Sequence, residues 1–199
     1  MLDVPPIPGT HTGSYSFHSE RFRNSYGIFR NRCKASTLIE NNICADNGGR
    51  GVNVFSGDNV LIRNNTFYKN GRTSDLGSEI SVLAASNVRV VNNIIVPRDG
   101  QRATSVYDGD VAGYRVSNVV FANNLYFGSG KLPQRGGSDL VADPEFVSPS
   151  LELNTANFCL QPDSPAIDGA LVSHSPARDV GGLPRPMGAG PDIGVWEAP

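Results

Sequence analysis

The strongest constraint on this 199-residue chain is a motif that it repeats. Residues 59–71 read NVLIRNNTFYKNG, and the skeleton returns as NVRVVNNIIV from Asn87 and as NVVFANNLYF from Asn118. A fainter copy, STLIENNICA, begins at Ser36. The doubled asparagines fall at 41–42, 64–65, 92–93 and 123–124, so successive pairs are 23, 28 and 31 residues apart. A period in the twenties that drifts upward marks a solenoid whose coils carry loops of different length.

The agreement reaches beyond the core motif. Residues 51–60 (GVNVFSGDNV) align without a gap on 79–88 (EISVLAASNV), which matches Val52, Val54, Val60 and Ile62 with Ile80, Val82, Val88 and Val90. This alternation is a strand period, carried by β-branched residues and bounded by Gly, Asn, Asp and Ser. Coils of two or three strands stacked on their neighbours make a parallel β-helix. Asparagine suits the corners, because it tolerates the left-handed backbone of a sharp turn. Its amide both donates and accepts, so equal amides on adjacent coils can satisfy one another in a ladder.

The NVxI-x-NN cores, with GVNV and EISV as the preceding strands, resemble the right-handed parallel β-helix proteins of the pectate-lyase-like superfamily over residues 15–128. A second resemblance lies at the other end. DPEF at Asp143, SPAIDGA at Ser164 and GPDIGVWE at Gly190, with Asp179, Gly182 and Arg185 between them, look like the tail of bacterial secreted and surface β-helix proteins. The expected fold is therefore all-β: a right-handed parallel β-helix of about four to five coils, closed by an irregular Pro-rich C-terminal capping tail. Residues 1–14 read as an arm, 15–130 as the β-helix and 131–199 as the tail. The superfamily holds lyases, hydrolases, epimerases and non-enzymes, so the resemblance implies a fold more than an activity.

Composition agrees. Twenty-two glycines and 14 prolines suit many strands and turns. The net charge of −2 excludes a strong generic nucleic-acid binder. No apolar run is long enough for a membrane span, and no signal peptide or sorting tail is present. Relatives of this kind are usually exported, which implies a secreted or cell-surface protein made as part of a longer precursor. Three cysteines make no disulfide framework, and Cys44, aligned with Phe67 and Ile95, reads as a small core residue.

If Val60 and Ile62 face inward, the outward row is Leu38, Leu61, Val91 and Val120, too apolar for a solvated face. The tail is the nearest cover for it; a homodimer partner is the other. The next outward row, Glu40, Arg63, Val91 and Ala122, has one acid and one arginine on adjacent coils, which suits a cross-strand ion pair better than a Ca²⁺ cage. No metal or cofactor site is expected, Ca²⁺ having only the acidic turn at Asp108-Gly109-Asp110 in its favour.

In enzymes of the resembling superfamily an acidic polysaccharide is the ligand, and a cation meets its carboxylates. Loops at 69–78, 97–104 and 108–114 vary between coils, and such loops commonly form a solenoid's binding surface. Arg63, Arg72, Arg98 and Arg102 are the candidate carboxylate contacts. Tyr107 is the candidate stacking ring, with Asp108 beside it, and Glu79 is a candidate carboxylate in a cleft that could face Arg50. The plainer readings are solvated loop arginines, a rim tyrosine and a simple turn. No catalytic residue is identified. The competing expectation is a non-catalytic surface or assembly module, or a fragment of a larger exported β-helix protein.

Overall fold

The computed structural model of the chain describes residues 28–31, 36–73, 77–108, 115–132, 137–152 and 154–199. The sequence expectations that rest on the arm, on the middle of the 69–78 loop and on Asp110 lie outside those residues.

Among the described residues the strands of the solenoid come in four successive triplets. They are β1 (Ile28–Asn31), β2 (Thr37–Glu40) and β3 (Ile43–Ala45), then β4 (Val52–Phe55), β5 (Asp58–Arg63) and β6 (Thr66–Tyr68). There follow β7 (Ser78–Leu83), β8 (Ser86–Val91) and β9 (Ile94–Val96), then β10 (Arg102–Tyr107), β11 (Ser117–Ala122) and β12 (Leu125–Tyr126). The first members of the triplets form sheet A, the second members sheet B and the third members sheet C. Neighbours within each sheet run parallel. The register is the one the repeat predicts: Val52 lies beside Ile80, Val60 beside Val88, and Cys44 beside Phe67 and then Ile95.

Most of the described corners between sheets are turned by a left-handed residue. Asn41, Asn64, Asn92 and Asn123 have φ of 56°, 48°, 57° and 56° between sheets B and C. Ser56 and Ala84 turn from sheet A, and Asp46 and Lys69 turn out of sheet C. The inward faces meet in one core column of Val52, Val54, Ile62, Phe67, Ile80, Val82, Val88, Val90 and Ile95. Burial of each such side chain is worth about 1.5–3 kcal/mol, so the stack gains stability with each coil.

The two asparagines of a pair do different work. The second forms the ladder. Asn42 Nδ2 donates to Asn65 Oδ1, Asn65 to Asn93 and Asn93 to Asn124, each at 2.9 Å. The backbone N–H of each donates to the same oxygen. From one ladder amide to the next the donor always points toward the C-terminal end, so the last amide needs an acceptor from outside the repeat. The Asp139 carboxylate supplies it, taking Asn124 N at 2.8 Å.

The first asparagine docks the tail. Asn41 Nδ2 donates to Arg178 O, Asn64 Nδ2 to Asp192 O, and Asn123 Nδ2 to Gly169 O. Asn92 donates to Leu171 O and accepts from Leu171 N. Gly194 N donates to Asn92 O at 2.9 Å. At Gly194 the backbone is left-handed, with φ of 95°, and an added Cβ would stand 2.6 Å from Ile94 Cδ1. Only glycine lets the tail lie this flat on sheet C.

The tail begins with β13 (Leu140–Val141), which extends sheet C, and an antiparallel pair, β14 (Phe146–Ser148) and β15 (Asn157–Leu160). It covers the outer face of sheet C, where Tyr68, Ile94, Val96 and Leu125 pack against Phe146, Phe158, Ala166, Ala170 and Ile193. The three rings of Tyr68, Phe146 and Phe158 meet edge-on. This corrects the expectation that the tail lies over the apolar row of sheet B. Sheet C presents the larger apolar side chains outward, and the outer asparagines offer their hydrogen bonds at its corner. Leu38, Leu61 and Val120 stay half-buried, whereas Val91 is buried.

The tail motifs close on one another. Arg185 Nη1 donates to Glu197 Oε2 at 3.0 Å and to Asp192 O at 2.7 Å, and Nη2 donates to Gly194 O at 2.9 Å. Glu197 also accepts from Met187 N and Asp192 N. Asp192 accepts from Asp168 N and Ala198 N, and Asp179 from Leu183 N and Glu197 N. The acids of this tail satisfy backbone donors in an irregular segment that has no ladder to do so.

Candidate functional site

The site with the least internal compensation is a hollow of about 490 Å³ on the outer side of sheet A. Its lining includes Arg50, Arg102, Lys131, Ser105 and Tyr107. Arg50 enters from the turn before β4, and its Nε donates to Ser78 Oγ at 3.2 Å. Its Nη2 reaches Tyr107 Oη at 3.4 Å, which ties the wall of the hollow to the end of β10. Arg102 opens β10 and forms a parallel bridge with Lys131. Lys131 N donates to Gln101 O at 2.8 Å, and Lys131 O accepts from Ala103 N at 2.9 Å. Two cations from chain segments about 30 residues apart are thus held side by side by backbone. Both are exposed. Neither has an ion-pair partner among the described residues, and no carboxylate is among the lining residues. The Tyr107 ring is 42% exposed at the rim.

The other sequence candidates are spent within the molecule. Arg63 is paired with Glu40 at 2.7 Å across sheet B. Arg98 binds Asp46 and Lys69 O, and Arg72 approaches Asp46 at 3.9 Å. Arg72 and Arg98 therefore share one carboxylate and do not join Arg102. Asp108 Oδ1 accepts from Val116 N at 2.7 Å.

Glu79 is a correction. Its exposure is 0%, so it is sealed from any cleft, and Arg50 turns to Ser78 instead. Glu79 ends a second amide ladder. Asn47 donates to Asn70 Oδ1 at 2.7 Å, and Asn70 gives Glu79 both its side-chain and its backbone N–H. Burial pushes the Glu79 carboxyl up from 4.5 to about 8, against the Asn70 and Arg98 donors that pull it back. Burial likewise pushes the nearby Cys44 thiol up to about 12, with Glu79 adding to the effect, so this thiol stays protonated and unreactive.

The Glu79 environment gives a pH prediction. The folded state binds this proton more tightly than the unfolded chain does. Its contribution is fully present below pH 4.5 and is lost as the pH rises toward about 8. The slope is at most about 1.4 kcal/mol per pH unit. Glu79→Gln should flatten the fall in unfolding free energy across that window, because an amide has no proton to lose there. Urea unfolding of both proteins across the window measures it; equal slopes would refute it.

Arg50 and Lys131 are the members the repeat does not point to. Lys131 follows the last Asn-Asn motif, and Arg50 aligns with a serine one coil on. Among the described residues no group of three His, Cys, Asp or Glu is placed to hold a metal ion. No helix among them is long and apolar enough to cross a membrane.

Residues 10–141 match the family described as the right handed beta helix region. The chain belongs to that family. Among solved structures, the β-helix chain is similar to the crystal structure of pectate lyase Pel9A, with a TM-score of 0.52 and 15% identity. The match covers 87% of this chain and 54% of that one, so this β-helix protein spans about half the length of Pel9A. At that identity the likeness is one of fold, and it agrees with a right-handed coil. No curated protein matches the sequence.

Proposed function

We propose that this β-helix protein binds an acidic polysaccharide through the hollow on sheet A. The observation that carries the reading is the pairing of Arg102 with Lys131 in a hollow whose lining has no acid. Two desolvation-poor cations at one rim suit successive carboxylates of a uronate chain. Tyr107 offers a ring face for a sugar, and Ser105 and Gln101 offer hydrogen bonds to hydroxyls. A pectate lyase among the similar folds supports the ligand class.

The test is calorimetric titration with a size-defined oligogalacturonate, with an alginate oligomer run in parallel. Arg102→Ala and Lys131→Ala should each weaken binding at least about tenfold, since hydrogen bonds to charged groups are worth about 1.5–3 kcal/mol. Added salt should weaken it further. An unchanged affinity in the double variant would sink the proposal. Ultraviolet absorbance of unsaturated product, followed with and without Ca²⁺, tells a lyase from a binding module.

A further inference from the structure

Sheet B has a groove of its own on the other side of the corner from the hollow. It measures about 430 Å³, and its lining shares no residue with the hollow. Its floor is the outward row Leu38, Leu61 and Arg89, consecutive across β2, β5 and β8 by register. One rim is a stack of amides. Asn118 Nδ2 donates to Asn87 Oδ1 at 2.7 Å, and Asn87 Nδ2 donates to Asp58 Oδ1 at 2.8 Å. Asn59, Asn87 and Asn118 are exposed and line the groove. His174 of the tail lines it from elsewhere in the chain, and Ser173 Oγ lies 2.9 Å from its Nδ1.

Two arginines, Arg63 and Arg89, line this groove; no carboxylate lines it, and the Asp58 carboxylate at the end of the amide rim is held by Asn87 and Ser86. Arg63 is neutralised by Glu40, which leaves Arg89 exposed and without an ion-pair partner among the described residues. An unpaired guanidinium set in line with two leucines, beside a stack of exposed amides, demands a ligand with three properties. It must carry an anion for Arg89, a flat apolar face for Leu38 and Leu61, and hydroxyls for the asparagines. A carboxylate-bearing pyranose has all three.

We propose that sheet B holds a second uronate-binding face, anchored by Arg89, so that one molecule engages two stretches of acidic glycan on adjacent sides of its solenoid. The ligand class rests on the function proposed above; the site does not. Strands within a sheet lie about 4.8 Å apart, so the rim repeats its amides along the axis and favours a chain lying along the solenoid.

Titration of the full chain with the same oligogalacturonate and alginate oligomers tests it. The native protein should bind two oligomers. Arg89→Ala should remove one site or weaken it at least about tenfold and leave the other intact, whereas Arg102→Ala should do the converse. One site lost only with Arg102 refutes the sheet B proposal and keeps the hollow. One site lost only with Arg89 does the reverse, and no binding by either oligomer overturns both. Light scattering covers the remaining occupant: a dimer that Leu61→Asp dissociates would make this face a self-interface and refute the second glycan site. Arg89 and Leu61 lie outside the buried core, so an unchanged far-ultraviolet spectrum is expected for each variant.

Discussion

Replacing Arg185 by alanine should cost about 3–5 kcal/mol and release the C-terminal tail, the cost typical of stripping one partner from a buried ion pair. The Arg185 side chain is 1% exposed and that of Glu197 is 0% exposed. Removal of the guanidinium takes the counter-charge from the buried Glu197 carboxylate, which keeps only its backbone donors, and takes one donor each from the carbonyls of Asp192 and Gly194. Burial already pushes the Arg185 pKa down, and Glu197, Asp179 and Asp192 hold it up, so the group is charged and its partners depend on it. The loss reaches the core because Gly194 and Asp192 are also the segments that Asn92 and Asn64 grip. A tail that lifts exposes Tyr68, Ile94 and Leu125 on sheet C. Arg185→Lys should fail nearly as badly, since an ammonium cannot hold a carboxylate and two carbonyls in one plane. Arg178→Ala removes an exposed bond to Gly182 O and should change stability by less than about 0.5 kcal/mol. Denaturant midpoints and limited proteolysis of the tail read the result. An unchanged midpoint for Arg185→Ala would mean that the tail contributes nothing to holding the solenoid together.

The same contacts explain which parts of the molecule were legible in the sequence. Strand period and register were, because a solenoid writes its vertical neighbours into the chain at a fixed offset: Val60 and Val88, or Glu40 and Arg63, are found by counting. The roles within each Asn-Asn pair were not. Two identical letters conceal that one amide turns inward into the ladder and the other turns outward to the tail. The face that the tail covers was also hidden, because the outward apolar residues of sheet C are spread over short strands such as Thr66–Tyr68 and Ile94–Val96. The hollow was half legible. Arg102 and Tyr107 lie on one strand, but Lys131 joins them only through a single backbone bridge after the last repeat. Glu79 misled because a carboxylate beside variable loops looks accessible. Its partner Asn70 lies nine residues earlier, across the corner that seals it.

The largest loss of stability is expected from one added charge in the middle of the ladder. Asn93 accepts from Asn65 N and Nδ2, and its own Nδ2 faces Asn124 Oδ1, Ile62 O and Val91 O at 2.9–3.0 Å. Asn93→Asp keeps the accepting side and turns the donating side into an acceptor set against three acceptors, at a position with 0% exposure. Each buried group left unpaired costs about 1–3 kcal/mol, and the buried charge adds to that, so a loss of at least about 4 kcal/mol follows at neutral pH. Asn93→Ala should cost less: it leaves the same carbonyls and also the Asn65 donors unpaired, but places no charge among them. Asp139→Asn should be nearly neutral at its ladder contact, because an amide oxygen can take the Asn124 N–H as the carboxylate does. The order Asn93→Asp, Asn93→Ala, Asp139→Asn therefore tests the direction of the ladder as well as its existence. The aspartate variant adds a pH signature. A carboxyl set among three acceptors is protonated more easily in the fold than in the unfolded chain, so its deficit should shrink as the pH falls, when the acid O–H can again donate. Equal losses for Asn93→Asp and Asn93→Ala at every pH would mean that the column has no polarity and that Asp139 does not serve as its acceptor end.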